Sequence, residues 1–313
     1  MRGILLGAAL LATTGVSACI AHRRAQRMIA FSDLTATPVA AADHRIAYGT
    51  QPVQYGELRL PPGSDTVPVV VLIHGGCWRA QYDLKHVASA AAAIATEGFA
   101  VWTIEYSRLG DPTGGWPGTF DDVAKAVDHV RIIGSQHPRV DSARVILMGH
   151  SAGGQLALWA ASRRQNESTG LFRSAQAPLK IMGVVSLAGI TDLAAYGATP
   201  GGCNSAVTPL LGGTPQLAAG RYRAVSPREH LPIGAPVRLI HGEADPIVPL
   251  AQSSDFVTHL RGAGDISKLD VVPGAGHFDL VAPQSEAWPV VMRAIRALAA
   301  RATTTTPIHS PMQ

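Results

Sequence analysis

The chain has 313 residues, of which 47% are hydrophobic and 15% charged, and its formal net charge is +4. That length and apolar fraction suffice for one large buried core. Part of the positive charge sits in one short run, His22, Arg23, Arg24 and Arg27, rather than along a helical stripe. Nucleic-acid binding is therefore not expected, because phosphate neutralisation needs a concentrated basic footprint.

Residues 1–19 read as an export signal: Arg2 gives a positive start, Ile4 to Leu11 an apolar run, and Val16-Ser17-Ala18 a small-residue cleavage region. The segment Val16-Ser17-Ala18-Cys19 also resembles a bacterial lipobox, which implies lipidation of Cys19 and anchoring to a membrane. Soluble secretion and an uncleaved anchor helix over Gly3 to Ala21 stay open beside it. All three place the folded part outside the cytoplasm, in the cell envelope or beyond. Cys77 and Cys203 then remain, and an oxidising compartment permits a disulfide between them. Spacing alone does not pair them, and two buried free thiols fit as well.

Residues 20–43 carry no sustained period and are expected to form a flexible tether. Residues 44–300 are expected to fold as one α/β unit, and 301–313, with the run Thr303 to Thr306, to be a disordered tail. Within the unit, Val67 to Ile73 is an apolar strand and Ala88 to Thr96 a helix. A strand follows at Phe99 to Glu105, then a helix at Phe120 to Gly134 and a strand at Arg144 to Met148. The alternation continues with a helix from Ala152 to about Arg164 and strands at Ile181 to Leu187 and Val237 to Ile240. A helix at Ala251 to Gly262, a strand at Lys268 to Val272 and a helix at about Ser285 to Ala300 complete it. Apolar runs alternating with helices predict a mostly parallel sheet covered on both faces. Residues 189–233, rich in Gly and Pro, are expected to form a small cap or long loop.

Gly149-His150-Ser151-Ala152-Gly153 has the Gly-x-Ser-x-Gly pattern of a nucleophile elbow and stands between a strand and a helix, the context that such a turn requires. The helix start behind Ser151 supplies positive potential where an oxyanion would develop. His277, in Pro273-Gly274-Ala275-Gly276-His277, follows the last strand and is the candidate base. Asp245 and Glu243, after the strand Val237 to Ile240, are candidate carboxylates to orient its imidazole. Asp121 and Asp122 fit a helix start, and Asp279 is too near His277 to be the preferred acid. No Cys/His cluster has metal-ligand spacing and no phosphate or dinucleotide loop follows a strand, so no metal and no cofactor are expected.

His74-Gly75-Gly76-Cys77-Trp78 closes the strong apolar strand. It resembles the His-Gly-Gly-x-Trp motif of kynurenine formamidases and related carboxylesterases. Glu105 to Leu109 and Trp116 to Asp122 are similar to the same branch of the α/β-hydrolase family, which includes feruloyl and acetyl-xylan esterase-like proteins. The resemblance spans residues 65–300 and implies an α/β-hydrolase fold and acyl-enzyme hydrolysis of a small-molecule ester or amide. It also implies an oxyanion hole made by the N–H groups of Gly76, Cys77 and Ala152. The loop His241-Gly242-Glu243-Ala244-Asp245-Pro246-Ile247-Val248-Pro249 looks like the acid loop of many α/β hydrolases, which favours Asp245 over Glu243. The order Ser151, Asp245, His277 is the order of that fold. Because the chain starts with an export signal, carboxylesterase is expected ahead of the cytosolic formamidase chemistry. A catalytically silent binding scaffold at the envelope would have lost Ser, His or the glycines, and this chain keeps them.

Overall fold

The computed structural model describes residues 27–36, 38–165, 172, 176–199 and 201–301. The expected export signal with Cys19, and the expected tail beyond residue 301, lie outside the described residues. In chain order the elements are α1 (Phe31–Ala36), β1 (His44–Ala47), β2 (Tyr55–Arg59), β3 (Val67–Ile73), α2 (Ala88–Thr96) and β4 (Ala100–Ile104). Then come α3 (Gly118–Asp128), α4 (Val130–Gln136), β5 (Val140–His150), α5 (Ala152–Ser162) and β6 (Gly183–Leu187). The cap helices α6 (Leu193–Gly197), α7 (Val207–Leu211) and α8 (Ala219–Val225) precede β7 (Val237–Gly242), α9 (Ala251–Gly262), β8 (Ser267–Val272) and α10 (Trp288–Arg301).

The eight strands form one sheet in the order β1-β2-β4-β3-β5-β6-β7-β8. β2 is antiparallel to both β1 and β4, and the pairings from β4 through β8 are parallel. β3 explains why its run is apolar without alternation. Val69, Val71 and Ile73 enter the core under α3, α4, α5, α9 and the cap, while Val70 and Leu72 enter the opposite core under α1, α2 and α10. A strand buried on both faces has no solvent side to keep polar.

The expected parallel α/β sheet is present, with differences in detail. The helix expected over 120–134 is two helices meeting at His129. β5 starts at Val140, four residues before the expected start at Arg144, because it first pairs with Val67 and Pro68 across a register shift. β1 and β2 went unpredicted: β1 is a short edge strand with no buried residue, so no apolar period marks it. In place of a long loop, residues 189–199 and 201–233 form a cap whose Leu193, Tyr196, Val207, Leu210 and Tyr222 join the core.

The expectation of a flexible tether over 20–43 needs correction in its described part. Leu34 is buried at 3% exposure, Ile29 and Phe31 pack on the core, and Ile29 N–H donates to Asp279 Oδ2 at 3.2 Å. Three apolar positions within six residues, Ile29, Phe31 and Leu34, give this stretch a surface to bury.

Candidate active site

Ser151 is the one residue between the end of β5 and the start of α5. Its backbone sits at φ 58°, ψ −121°, a sparsely populated region whose cost is of order 1–3 kcal/mol. Neighbouring structure holds it there: Ser151 N–H donates to Leu187 O at 2.8 Å, and the elbow leaves no room for side chains. A Cβ on Gly153 would overlap the carbonyl oxygens of Ile73 and His74, and one on Gly149 would overlap that of Gly153. Strand end, turn and helix start thus pack at backbone contact, and the Ser151 side chain faces a cavity.

His277 and Asp245 come together from the loops after β8 and β7. His277 Nδ1 lies 2.7 Å from Asp245 Oδ2, and both side chains are nearly inaccessible. Asp245 Oδ1 accepts from the N–H groups of Ile247 at 2.8 Å and Val248 at 2.9 Å. Burial pushes its carboxyl up, but the His277 hydrogen bond and charge and these two N–H groups outweigh it and hold the group below the usual carboxylate range. An ionised Asp245 requires the proton on His277 Nδ1, leaving Nε2 as the basic nitrogen. The loop is pinned by buried His241, whose Nε2 donates to Val248 O at 2.9 Å and whose Nδ1 accepts from Ser253 Oγ at 2.8 Å. Glu243, the other candidate, is exposed and accepts from Gly274 N–H instead, at 3.1 Å.

The glycine loop after β3 turns through three residues of positive φ, Gly76 at 105°, Cys77 at 54° and Trp78 at 54°. Among the described residues the N–H groups of Gly76, Cys77 and Ala152 have no hydrogen-bond acceptor, so the three expected oxyanion donors are unspent. His74 braces the loop from below: Nε2 is 2.8 Å from Glu105 Oε1, and Nδ1 is 2.7 Å from Gly75 O. Tyr106 OH donates to His74 O at 2.9 Å. Burial raises the Glu105 carboxyl, but His74, Arg108 and the Tyr106 N–H prevail and keep it below the usual range. Asp122, read from sequence as a helix-start charge, is buried and accepts from Ser107 N and Oγ and from Gln54 Nε2. The segments 105–109 and 116–122 therefore act as the scaffold of the glycine loop. Cys77 and Cys203 form a disulfide, which ties this loop to the cap.

Ser151, His277, Gly76 and Cys77 line one cavity of about 140 Å³, with Phe31, Tyr82, Ile247 and Phe278 as its apolar and aromatic walls. A larger groove of about 480 Å³, between the N-terminal segment and β1 and β2, contains none of the expected site residues. Behind the cavity His150 Nε2 donates to His277 O at 3.0 Å, so its Nδ1 must accept, and it does so from His86 Nε2 at 2.8 Å. Desolvation, with repulsion from neighbouring histidines, holds both rings neutral, far below the usual histidine pKa. His86, Asp279 and Phe31 were not legible as site residues: they have no motif, and their roles come from packing between segments distant in sequence.

Strand order, elbow and cavity together define an α/β hydrolase with the layout of a serine hydrolase. The chain belongs to the BD-FAE family, whose model matches residues 57–260. That stretch includes Gly76, Cys77, Ser151, Ala152 and Asp245 and stops short of His277. The chain is 29% identical over 237 residues to esterase LipQ of Mycobacterium tuberculosis, a match covering 71% of this chain and 53% of LipQ. It thus spans about half the length of that curated relative. Among solved structures, it resembles esterase B from Lactobacillus rhamnosis HN001 at a TM-score of 0.72 and 20% identity, over 86% of this chain and 90% of that one. A truncated carbohydrate esterase from gut microbiota gives 0.70 at 20% identity, over 84% and 97%. At that identity the likeness is one of fold. A bifunctional GH43-CE protein from Bacteroides eggerthii gives 0.66 at 26% identity, over 82% of this chain and 37% of that one.

Proposed function

We propose that the protein is a carboxylesterase that cleaves small, short-acyl esters through an acyl-enzyme on Ser151. The observation that carries this reading is the shared cavity: a strained serine and a histidine oriented by a buried carboxylate face one small chamber. The esterase named in the relative LipQ supports it. In the first half-reaction Ser151 Oγ attacks the ester carbonyl carbon and its proton passes to His277 Nε2. The oxyanion takes hydrogen bonds from the N–H groups of Gly76, Cys77 and Ala152. His277 then protonates the departing alkoxide, and the alcohol leaves. In the second, His277 removes a proton from water, hydroxide adds to the acyl carbon, and collapse returns the proton to Ser151 and frees the acid. Asp245 stays ionised and stabilises the imidazolium formed in each half.

The test is hydrolysis of p-nitrophenyl esters from acetate to palmitate, beside formylkynurenine, by wild type and Ser151→Ala. Short-chain turnover that falls by about a millionfold in the variant is expected. Formylkynurenine as the best substrate would move the amidase reading, suggested by the His-Gly-Gly-x-Trp motif, to the front. The reading extends to location, with export and lipidation at Cys19: Cys19→Ser is expected to abolish incorporation of radiolabelled palmitate by cells, and unchanged labelling refutes it.

A further inference from the structure

We propose that Phe31, from the N-terminal segment outside the matched family region, is a specificity residue that closes the acyl chamber and limits the acyl chain it accepts. The inference rests on the ester-hydrolysis reading of Ser151.

Phe31 lines the same 140 Å³ cavity as Ser151 and His277. Its ring makes edge contacts with three rings of that chamber: Tyr82 at 5.2 Å, His86 at 5.5 Å and Phe278 at 5.7 Å between centroids. The segment that carries it is braced internally by Asp33 and latched to the rest of the fold through Asp279 and Leu34. Asp33 Oδ2 accepts from Ala30 N–H and from Arg27 Nη2, both at 2.8 Å, which shapes the start of α1. Asp279 Oδ2 accepts from Ile29 N–H at 3.2 Å and from Gly276 N–H at 3.0 Å. The carboxylate that holds the segment therefore also holds the loop of the base, His277. Leu34, buried in the core beneath, fixes the other end.

The chamber is the acyl side for a kinetic reason. The acyl group is held on Ser151 until the second half-reaction, whereas the alcohol departs in the first, so the small, partly open cavity that Ser151, Gly76 and Cys77 themselves line is assigned to the acyl group. Its volume of about 140 Å³ suits a short acyl chain, and Phe31 is the wall supplied by the N-terminal segment.

The experiment measures kcat/KM for p-nitrophenyl acetate, butyrate, hexanoate and octanoate with full-length wild type, Phe31→Ala and Phe31→Trp. Phe31→Ala is expected to raise the hexanoate-to-acetate ratio about tenfold or more, and Phe31→Trp to lower the butyrate-to-acetate ratio by a similar factor, since one methylene in an apolar pocket is worth about tenfold or more. Ratios within one variant are unaffected by how much of it folds. Phosphonylation of Ser151 by alkyl phosphonates of matched length, followed by intact mass, reads the same chamber without turnover. If wild type neither turns over nor is labelled, the esterase reading itself fails. If wild type reacts and both variants keep its profile, Phe31 is no wall and this inference alone is overturned.

Discussion

Cys203 in the cap is bonded to Cys77 in the glycine loop across 126 residues of chain, with Cα atoms 5.0 Å apart. Closing so long a loop is worth up to about 5 kcal/mol in the chain-entropy account, and about 2–5 kcal/mol in practice. Cys77→Ser, Cys203→Ser and the double variant are expected to lose the same stability in urea unfolding, because each breaks one shared bond. Dithiothreitol should bring wild type to their level and leave them unchanged. Unequal single variants would mean that the thiols act separately. Cys77→Ser retains the backbone donor, so its kcat/KM should fall less than the roughly hundredfold or more that loss of an oxyanion donor costs.

The strained backbone at Ser151 predicts opposite effects on activity and stability. Ser151→Gly is expected to abolish hydrolysis while raising stability by about 1 kcal/mol, because glycine tolerates a φ of 58°. Calorimetry should show a melting temperature higher by about 2–4 °C. A lower melting temperature would argue against strain at the elbow.

Two carboxylates on one loop should separate by function. Asp245→Asn preserves shape but removes the charge that fixes the His277 tautomer, and kcat should fall by about ten-thousandfold, as in the serine-protease triad. Glu243→Gln, at an exposed side chain that accepts from Gly274 N–H, should stay within about threefold, since it touches no reacting atom. Steady-state kinetics on p-nitrophenyl butyrate decides, and a large loss in Glu243→Gln contradicts the assignment of the acid.

His86 and His150 make stability depend on pH. Both are neutral in the folded protein, where burial and the neighbouring His74, His241 and His277 oppose a positive charge. The unfolded chain protonates each as pH falls through about 6.5. Below that pH the unfolded state binds more protons, so stability falls with falling pH, by up to about 1.4 kcal/mol per pH unit for each ring. Urea unfolding between pH 7.5 and 5.5 should show this slope, and His86→Phe should reduce it. An unchanged slope would falsify the assignment of His86 as a buried neutral ring.

The sequence by itself determined the parallel sheet, the elbow at Ser151, and the loops that carry Asp245 and His277. Each has a local cause: apolar runs with no polar alternation, glycines at a strand-to-helix junction, and a carboxylate and a histidine placed just after strands. It left the disulfide open, made the N-terminal segment a tether and saw Asp122 as a cap. Tertiary structure decided those points because each depends on which distant segments meet. Cys203 reaches Cys77 only when the cap folds over the glycine loop. Asp122 is buried only because Gln54 and Ser107 close on it. Phe31 reaches the chamber of Ser151 only because Asp279, some 250 residues away in the chain, holds Ile29 beside the loop of His277. Periodicity reports one element's own face, and it has no term for a neighbour that arrives from elsewhere in the chain.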